Sequence, residues 1–490
     1  MKKKLFITGL ILLLVVTIML VLIACGGVGG LTDKKGGEVE IATGFIGQLQ
    51  GEGYCITKYT GAEKEIVIPS TYNNSPVVGI GYLAFNEADI TSVVVPDSVE
   101  YISDNAFLDC AGLTSLTVGL GLRSIGNNAF SGCSALSSIY YTGDMASWCE
   151  KAMLYNLMPY GTSNKEFYIN EVKIDGELVI SSNVKSISHS AFRECDSLTS
   201  VTIQEGVTFI GAYAFANCSA LTSITIPSSV TSIGNFAFSG CSALTSVTIP
   251  SSVTEILSGA FADCTSLNYI TFESGCQLAK IEDGVFERCS NLGSITIPEG
   301  VKTIGDKAFQ NCSDLASITI PASVTAIAGW AFRGCKHLSS IYYEGDVAGW
   351  LEINDLEALM GYTNYGEPNF SKTLYIDGKK TEDLVITDGV VYIKPEAFSH
   401  CTSLTSVSIC SSVTSIGGRA FQNCSNLTSV LIPNSVTSIG SYAFSGCRNL
   451  TSITFQGTKG QWEAISKDFS WNEATGNYTV HCTDGDVAKA

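Results

Sequence analysis

Apolar and polar residues alternate in short runs that recur along most of the chain, and the runs keep step with cysteine. Cys195, Cys218, Cys241 and Cys264 are 23 residues apart, as are Cys289, Cys312 and Cys335, and Cys401, Cys424 and Cys447. One period, Cys218 to Gly240, reads CSALTSITIPSSVTSIGNFAFSG. Thr222 to Ile226 is a β-branched run in which Ile224 and Ile226 share a face, and Pro227 must end it as a strand. Val230 and Ile233, ahead of Gly234, predict a second short strand. Ala237-Phe238 predicts a single helical turn leading to the next cysteine. Each period is then one three-sided coil.

No coil can bury Leu221, Ile224, Ile226, Val230, Ile233 and Phe238 alone, so neighbours must stack and share a core. The expected fold is a solenoid with a parallel β-sheet on one face, short second strands, single helical turns and sixteen rungs from Ile66-Val67-Ile68 to Ile453-Thr454-Phe455. The period breaks twice, in the same way. Ile139-Tyr140-Tyr141 leads to Trp148 and Ile341-Tyr342-Tyr343 leads to Trp350; extended segments at Tyr168-Ile169 and Tyr375-Ile376 follow before the array resumes. These are copied insertions, about residues 142–177 and 344–383, expected to protrude from one edge of the coil. A third start, from Ile453 to Trp462, does not rejoin and is expected to cap the last rung, where an open sheet edge would otherwise remain. Tyr54 to Tyr59 is the expected cap at the other end.

A chain of 490 residues exceeds one ordinary core, which an array accommodates. Charged residues are only 15%, so Ser, Thr and Gly supply most of the polar surface. The net charge of −18, with no Lys/Arg cluster along the sequence beyond the extreme N-terminus, argues against nucleic acid. The chain opens Met1-Lys2-Lys3-Lys4 and continues apolar from Leu5 to Ala24, the pattern of a secretory signal, with an uncleaved transmembrane anchor as the competing reading. Leu22-Ile23-Ala24-Cys25 resembles the bacterial lipobox, which implies that Cys25 is lipidated and residues 1–24 are removed. A Gly-rich tether, 25–40, would then join the membrane to a solenoid of residues 41–455, with a cap and tail at 456–490.

The pattern A-F-x-x-C-x-x-L-x-S-I-x-I-P-x-S-V-x-x-I-G, with the Tyr-Tyr-x-Gly-Asp insertions and the closing Tyr478-Thr479-Val480-His481-Cys482, resembles the BspA-type leucine-rich-repeat proteins over about residues 41–483. A period of 23 lies in the leucine-rich-repeat range. The resemblance implies a surface protein of host-associated microbes, several relatives being adhesins for extracellular-matrix proteins or other cells. It does not imply a ligand.

The cysteine ladder could suggest a metal or redox site, but a small buried corner residue is the simpler reading, and side chains one rung apart sit about 4.8 Å apart, wider than a disulfide needs. Only His189, His337, His400 and His481 are available for acid–base work, and no triad, phosphate loop or zinc motif is present. No catalytic residue, metal or cofactor is therefore expected. Thr225, Thr248, Thr271, Thr296 and Thr319, with Thr222 nearby, should form an exposed ladder that is either plain strand surface or a flat binding face. Tyr140, Tyr141, Trp148, Tyr342, Tyr343 and Trp350 either anchor a partner or form the small core that an insertion needs. The reading is a lipid-anchored, non-catalytic binding protein on the outer face of a bacterial membrane, with an extracellular protein or glycan as partner. A structural spacer is the alternative, and an enzyme the third.

Overall fold

A computed structural model describes residues 37–151, 166–361 and 371–489. The signal segment, Cys25 and most of the Gly-rich tether lie outside the described residues. The chain forms two compact units divided after Leu198, and the same repeat builds each.

In the second unit, the strand Ser317–Ile320 shows how a rung is made. Ile318 and Ile320 are buried and Ser317 and Thr319 look outward, as the two-residue period of a strand dictates. It pairs in parallel, without slip, with Ser294–Thr296 on one side and Ser340–Tyr343 on the other. A two-residue strand, such as Ser232–Ile233, follows on the next side of the coil and pairs with its equivalents at Phe209–Ile210 and Glu255–Ile256.

The third side is not the helical turn expected at Ala-Phe. Ala237 N–H bonds to Gly234 C=O, Ser239 to Phe236 and Cys241 to Phe238, a run of four-residue turns. They are bracketed by left-handed backbone at Phe236 and Gly240. Alternate amides point to the next coil instead: Phe236, Phe238 and Gly240 N–H donate to Ser258, Ala260 and Ala262 C=O. Lateral bonding of this kind leaves no place for an α-turn. The phenylalanines stack along this side, Phe215, Phe238, Phe261, Phe286, Phe309 and Phe332 in sequence, at 5.2–5.8 Å between centroids.

The ladder thiols are buried and hydrogen-bonded. Cys241, Cys264 and Cys335 Sγ donate to the Phe215, Phe238 and Phe309 carbonyls at 3.1–3.2 Å. Burial pushes the Cys241 and Cys335 thiols up to about 12. Their place is that of a small corner residue that also satisfies an interior carbonyl.

Among the described residues between Ile66 and Phe455 the sheet side carries eighteen strands where the sequence suggests sixteen. The two extra are Glu166–Ile169 and Thr373–Ile376, inside the insertions. They do not protrude: each lies parallel and in register with the strand that opens its insertion, Ser138–Tyr141 or Ser340–Tyr343. Each then turns back through left-handed residues, Asn170-Glu171 or Asp377-Gly378, into a two-residue antiparallel strand. The C-terminal segment repeats the plan. Helix Lys459–Ala464 follows Ser452–Phe455, then Thr479–Cys482 adds a parallel strand and Gly485–Ala488 folds back antiparallel on it. The third start therefore does return to the sheet and adds a further rung. In the first unit an antiparallel meander, Val39–Ala42, Phe45–Gln50 and Gly53–Tyr59, precedes the first coils.

Candidate binding surface

Outward residues of successive strands line up in columns because the pairing is in register. In the second unit Thr296, Thr319, Tyr342 and Tyr375 form one column and Ser294, Ser317, Ser340 and Thr373 the column beside it. Shorter sheets continue the pattern with Thr202 opposite Thr225 and Thr248 opposite Thr271. In the first unit the corresponding column is Val67, Val94, Thr117, Tyr140 and Tyr168. Within each unit the outward strand residues and the insertion tyrosines are thus parts of one face, without charge over most of its length.

Each column ends in a stacked tyrosine pair. Tyr140 and Tyr168 lie 4.5 Å apart at 14°, and Tyr342 and Tyr375 lie 4.4 Å apart at 17°. Beyond each pair stands a lysine on the hairpin strand, Lys173 opposite Tyr168 and Lys380 opposite Tyr375. Lys173 bonds Glu166 at 2.7 Å and holds that carboxyl below its usual range; Tyr168 OH donates to the same group at 3.0 Å. Lys380 bonds Glu382 at 2.7 Å. Each ring covers one face of the other, and Thr117 and Lys173, or Thr319 and Lys380, stand next along the column on the remaining sides, so the pair presents ring edges and hydroxyls outward.

Thr225, Thr248, Thr271 and Thr296 are exposed and Thr319 half-exposed. Thr222 belongs to a different column at the rim, where its hydroxyl donates to the Thr199 carbonyl at 2.8 Å. Tyr140 is half-buried and Tyr342 is exposed. The other four aromatic candidates are core: Tyr141, Trp148, Tyr343 and Trp350 are each 2% exposed or less. Asp144 and Asp346 cap the helices Met145–Glu150 and Val347–Glu352, whose first turns aim Trp148 and Trp350 inward. Their indole N–H groups donate to the Ala191 and Ala397 carbonyls at 2.9 and 3.0 Å. Of the six aromatic candidates, only Tyr140 and Tyr342 therefore reach the surface. Tyr168 and Tyr375, which the sequence marks only as extended segments, stand beside them half-buried. Among the described residues no group of three or more His, Cys, Asp and Glu is arranged to hold a metal ion.

Comparison with known proteins agrees with this architecture. The family model described as "BspA type Leucine rich repeat region" matches in six copies, over residues 64–157, 162–279, 276–350 and 369–469. Among solved structures, a leucine-rich repeat protein from Bacteroides ovatus is 25% identical, with 90% of this chain and 99% of that chain covered and a TM-score of 0.54. A leucine rich cell surface protein from Faecalibacterium prausnitzii is 28% identical over 89% of this chain and 98% of that one, with a TM-score of 0.36. No curated protein matches the sequence at a significant level.

Proposed function

The chain belongs to the BspA-type leucine-rich-repeat family of bacterial surface proteins, and from that premise we propose that it is a lipid-anchored, non-catalytic adhesion protein whose sheet face docks an extracellular protein. The observation that carries this is an uncharged column of outward Thr or Val residues running into a stacked tyrosine pair, built once in each unit by the copied insertions. Repeat proteins bind through extended sheet surfaces, and interface energy concentrates on a few aromatic side chains within them. Ring edges and phenolic hydroxyls suit the hydrogen-bonding surface of a protein better than a sugar, which stacks on an open ring face.

The soluble repeat region is to be screened against matrix proteins, mucins and glycans, and any partner tested against Tyr140→Ala and the pair Tyr342→Ala, Tyr375→Ala. A loss of at least tenfold, about 1.4 kcal/mol, is the expected result. Unchanged affinity in both variants removes the sheet-face reading, and a wild-type protein that binds nothing in the screen leaves the spacer reading in its place. Anchoring is separable: Cys25→Ala should move the protein out of the membrane fraction or leave its precursor unprocessed. Wild-type fractionation and mobility would point to a plain transmembrane anchor.

A further inference from the structure

The turn side of the second unit carries a feature that the sheet-face reading does not use. Lys307 and Trp330 occupy the same place in consecutive coils, five residues before Cys312 and Cys335. Trp330 is 50% exposed, whereas Trp148, Trp350 and Trp462 are buried and Trp471 half-buried. Lys307 Nζ stands 5.7 Å from the centre of its ring and Arg333 Cζ 5.2 Å. Among the described residues neither of these cations has a carboxylate within 4 Å, although Lys173, Lys280, Arg288 and Lys380 each do. In a chain with 46 acidic and 28 basic residues, two cations without a carboxylate partner against a half-exposed indole are the reverse of the general surface.

Cations held over an indole are already oriented, and a guanidinium offers two parallel N–H donors to a carboxylate or sulfate. An exposed indole adds the apolar contact that the C–H face of a sugar ring takes. The −18 net charge disfavours a long polyanion, but at physiological salt the field is screened within about 8 Å, so a single acidic group sees the local cations. We propose that Lys307, Trp330 and Arg333 form a second site, separate from the sheet face, that binds the acidic sugar of an oligosaccharide. The anionic group lies on Arg333 and Lys307, and the sugar ring lies against Trp330.

Saturation-transfer NMR and titration calorimetry on the full-length protein in detergent test this with three probes: sialyllactose, sulfated lactose and lactose. At least one acidic form should bind at least tenfold tighter than lactose, and which one does so tells carboxylate from sulfate. Arg333→Ala and Lys307→Gln should each weaken that binding at least fivefold, Arg333→Lys should restore part of it, and Trp330→Ala should remove the transfer signal from the sugar ring protons. Tyr342→Ala should change nothing. The conservative surface variants Lys307→Gln and Arg333→Lys keep the test valid if Trp330→Ala misfolds. Equal binding of lactose, no binding of either acidic form, or wild-type affinity in the Arg333 and Lys307 variants overturns the proposal. Loss on Tyr342→Ala but not Trp330→Ala does so too, since it would return the sugar to the sheet face.

Discussion

An ordinary coil and an inserted one close the same core with different chemistry. In the ordinary coil the Phe238 N–H donates to the Ala260 carbonyl of the next coil at 2.8 Å, and its ring stacks between Phe215 and Phe261. The insertion at Ile341 has a helix after its strand and no Ala-Phe turn. There the Trp350 indole donates to the carbonyl of Ala397, the same alanine of the repeat that a phenylalanine amide serves elsewhere. Trp148 does this for Ala191 in the first unit. A buried carbonyl without a donor costs about 1–3 kcal/mol. What lets a foreign segment enter the array is therefore less its length than a side chain that replaces the lost backbone donor while filling the phenylalanine's volume.

The sharpest way to break that comparison is at the indole. Trp350→Ala removes both volume and donor and should cost about 3–5 kcal/mol, close to Phe238→Ala in an ordinary coil. Trp350→Phe keeps most of the volume and should still cost about 1–3 kcal/mol, because the Ala397 carbonyl is left unpaired. Urea midpoints of the three variants measure this. A Trp350→Phe protein as stable as wild type would show that packing alone admits the insertion.

The next contrast is alkaline. Burial lifts the Cys241, Cys335, Cys401 and Cys447 thiols from 9.0 to about 12. A thiol that stays protonated in the fold but ionises in the unfolded chain near pH 9 leaves stability intact below pH 9 and withdraws it as pH rises towards 12. Each contributes a slope of about 1.4 kcal/mol per pH unit in that window. The indoles do not titrate. Replacing the four cysteines by alanine should therefore flatten the fall in urea midpoint between pH 9 and 11. An unchanged slope would mean that these thiols are not buried as described.

The period and the inward set of Leu, Ile, Val and Phe could be read directly, since a 23-residue spacing repeats side-chain chemistry at each step of the coil. The added rungs could not be found by spacing, because Tyr168 follows Tyr140 by 28 residues and Tyr375 follows Tyr342 by 33. Alternation at Phe167 and Ile169, and the Asp377-Gly378 turn, were the available signals. The role of Trp148 and Trp350 was hidden because an indole suits a surface anchor and a buried donor equally. Non-glycine residues at the left-handed positions, such as Phe236 and Lys307, concealed the turns that a glycine would have marked. Lys307, Trp330 and Arg333 form no run in the sequence and meet only because the coil brings position 307 beside 330.

On the sheet face the effects on stability should be small, and unequal in an informative way. Tyr342→Ala loses a stacked cross-strand pair with Tyr375 and should cost about 0.5–1.5 kcal/mol. Thr225, Thr248 and Thr271 look outward, and among the described residues their hydroxyls bond no other protein group. Changing all three to serine removes only solvent-facing methyls and some strand preference, so each should stay within about 0.5 kcal/mol. The array's stability rests on the inward residues and the inter-coil bonds, which these changes leave untouched. A combined loss well above 1.5 kcal/mol would mean that the threonine methyls pack against one another along the column. The ladder would then be a stabilising element of the sheet, and the flat face would owe its composition to folding rather than to a partner.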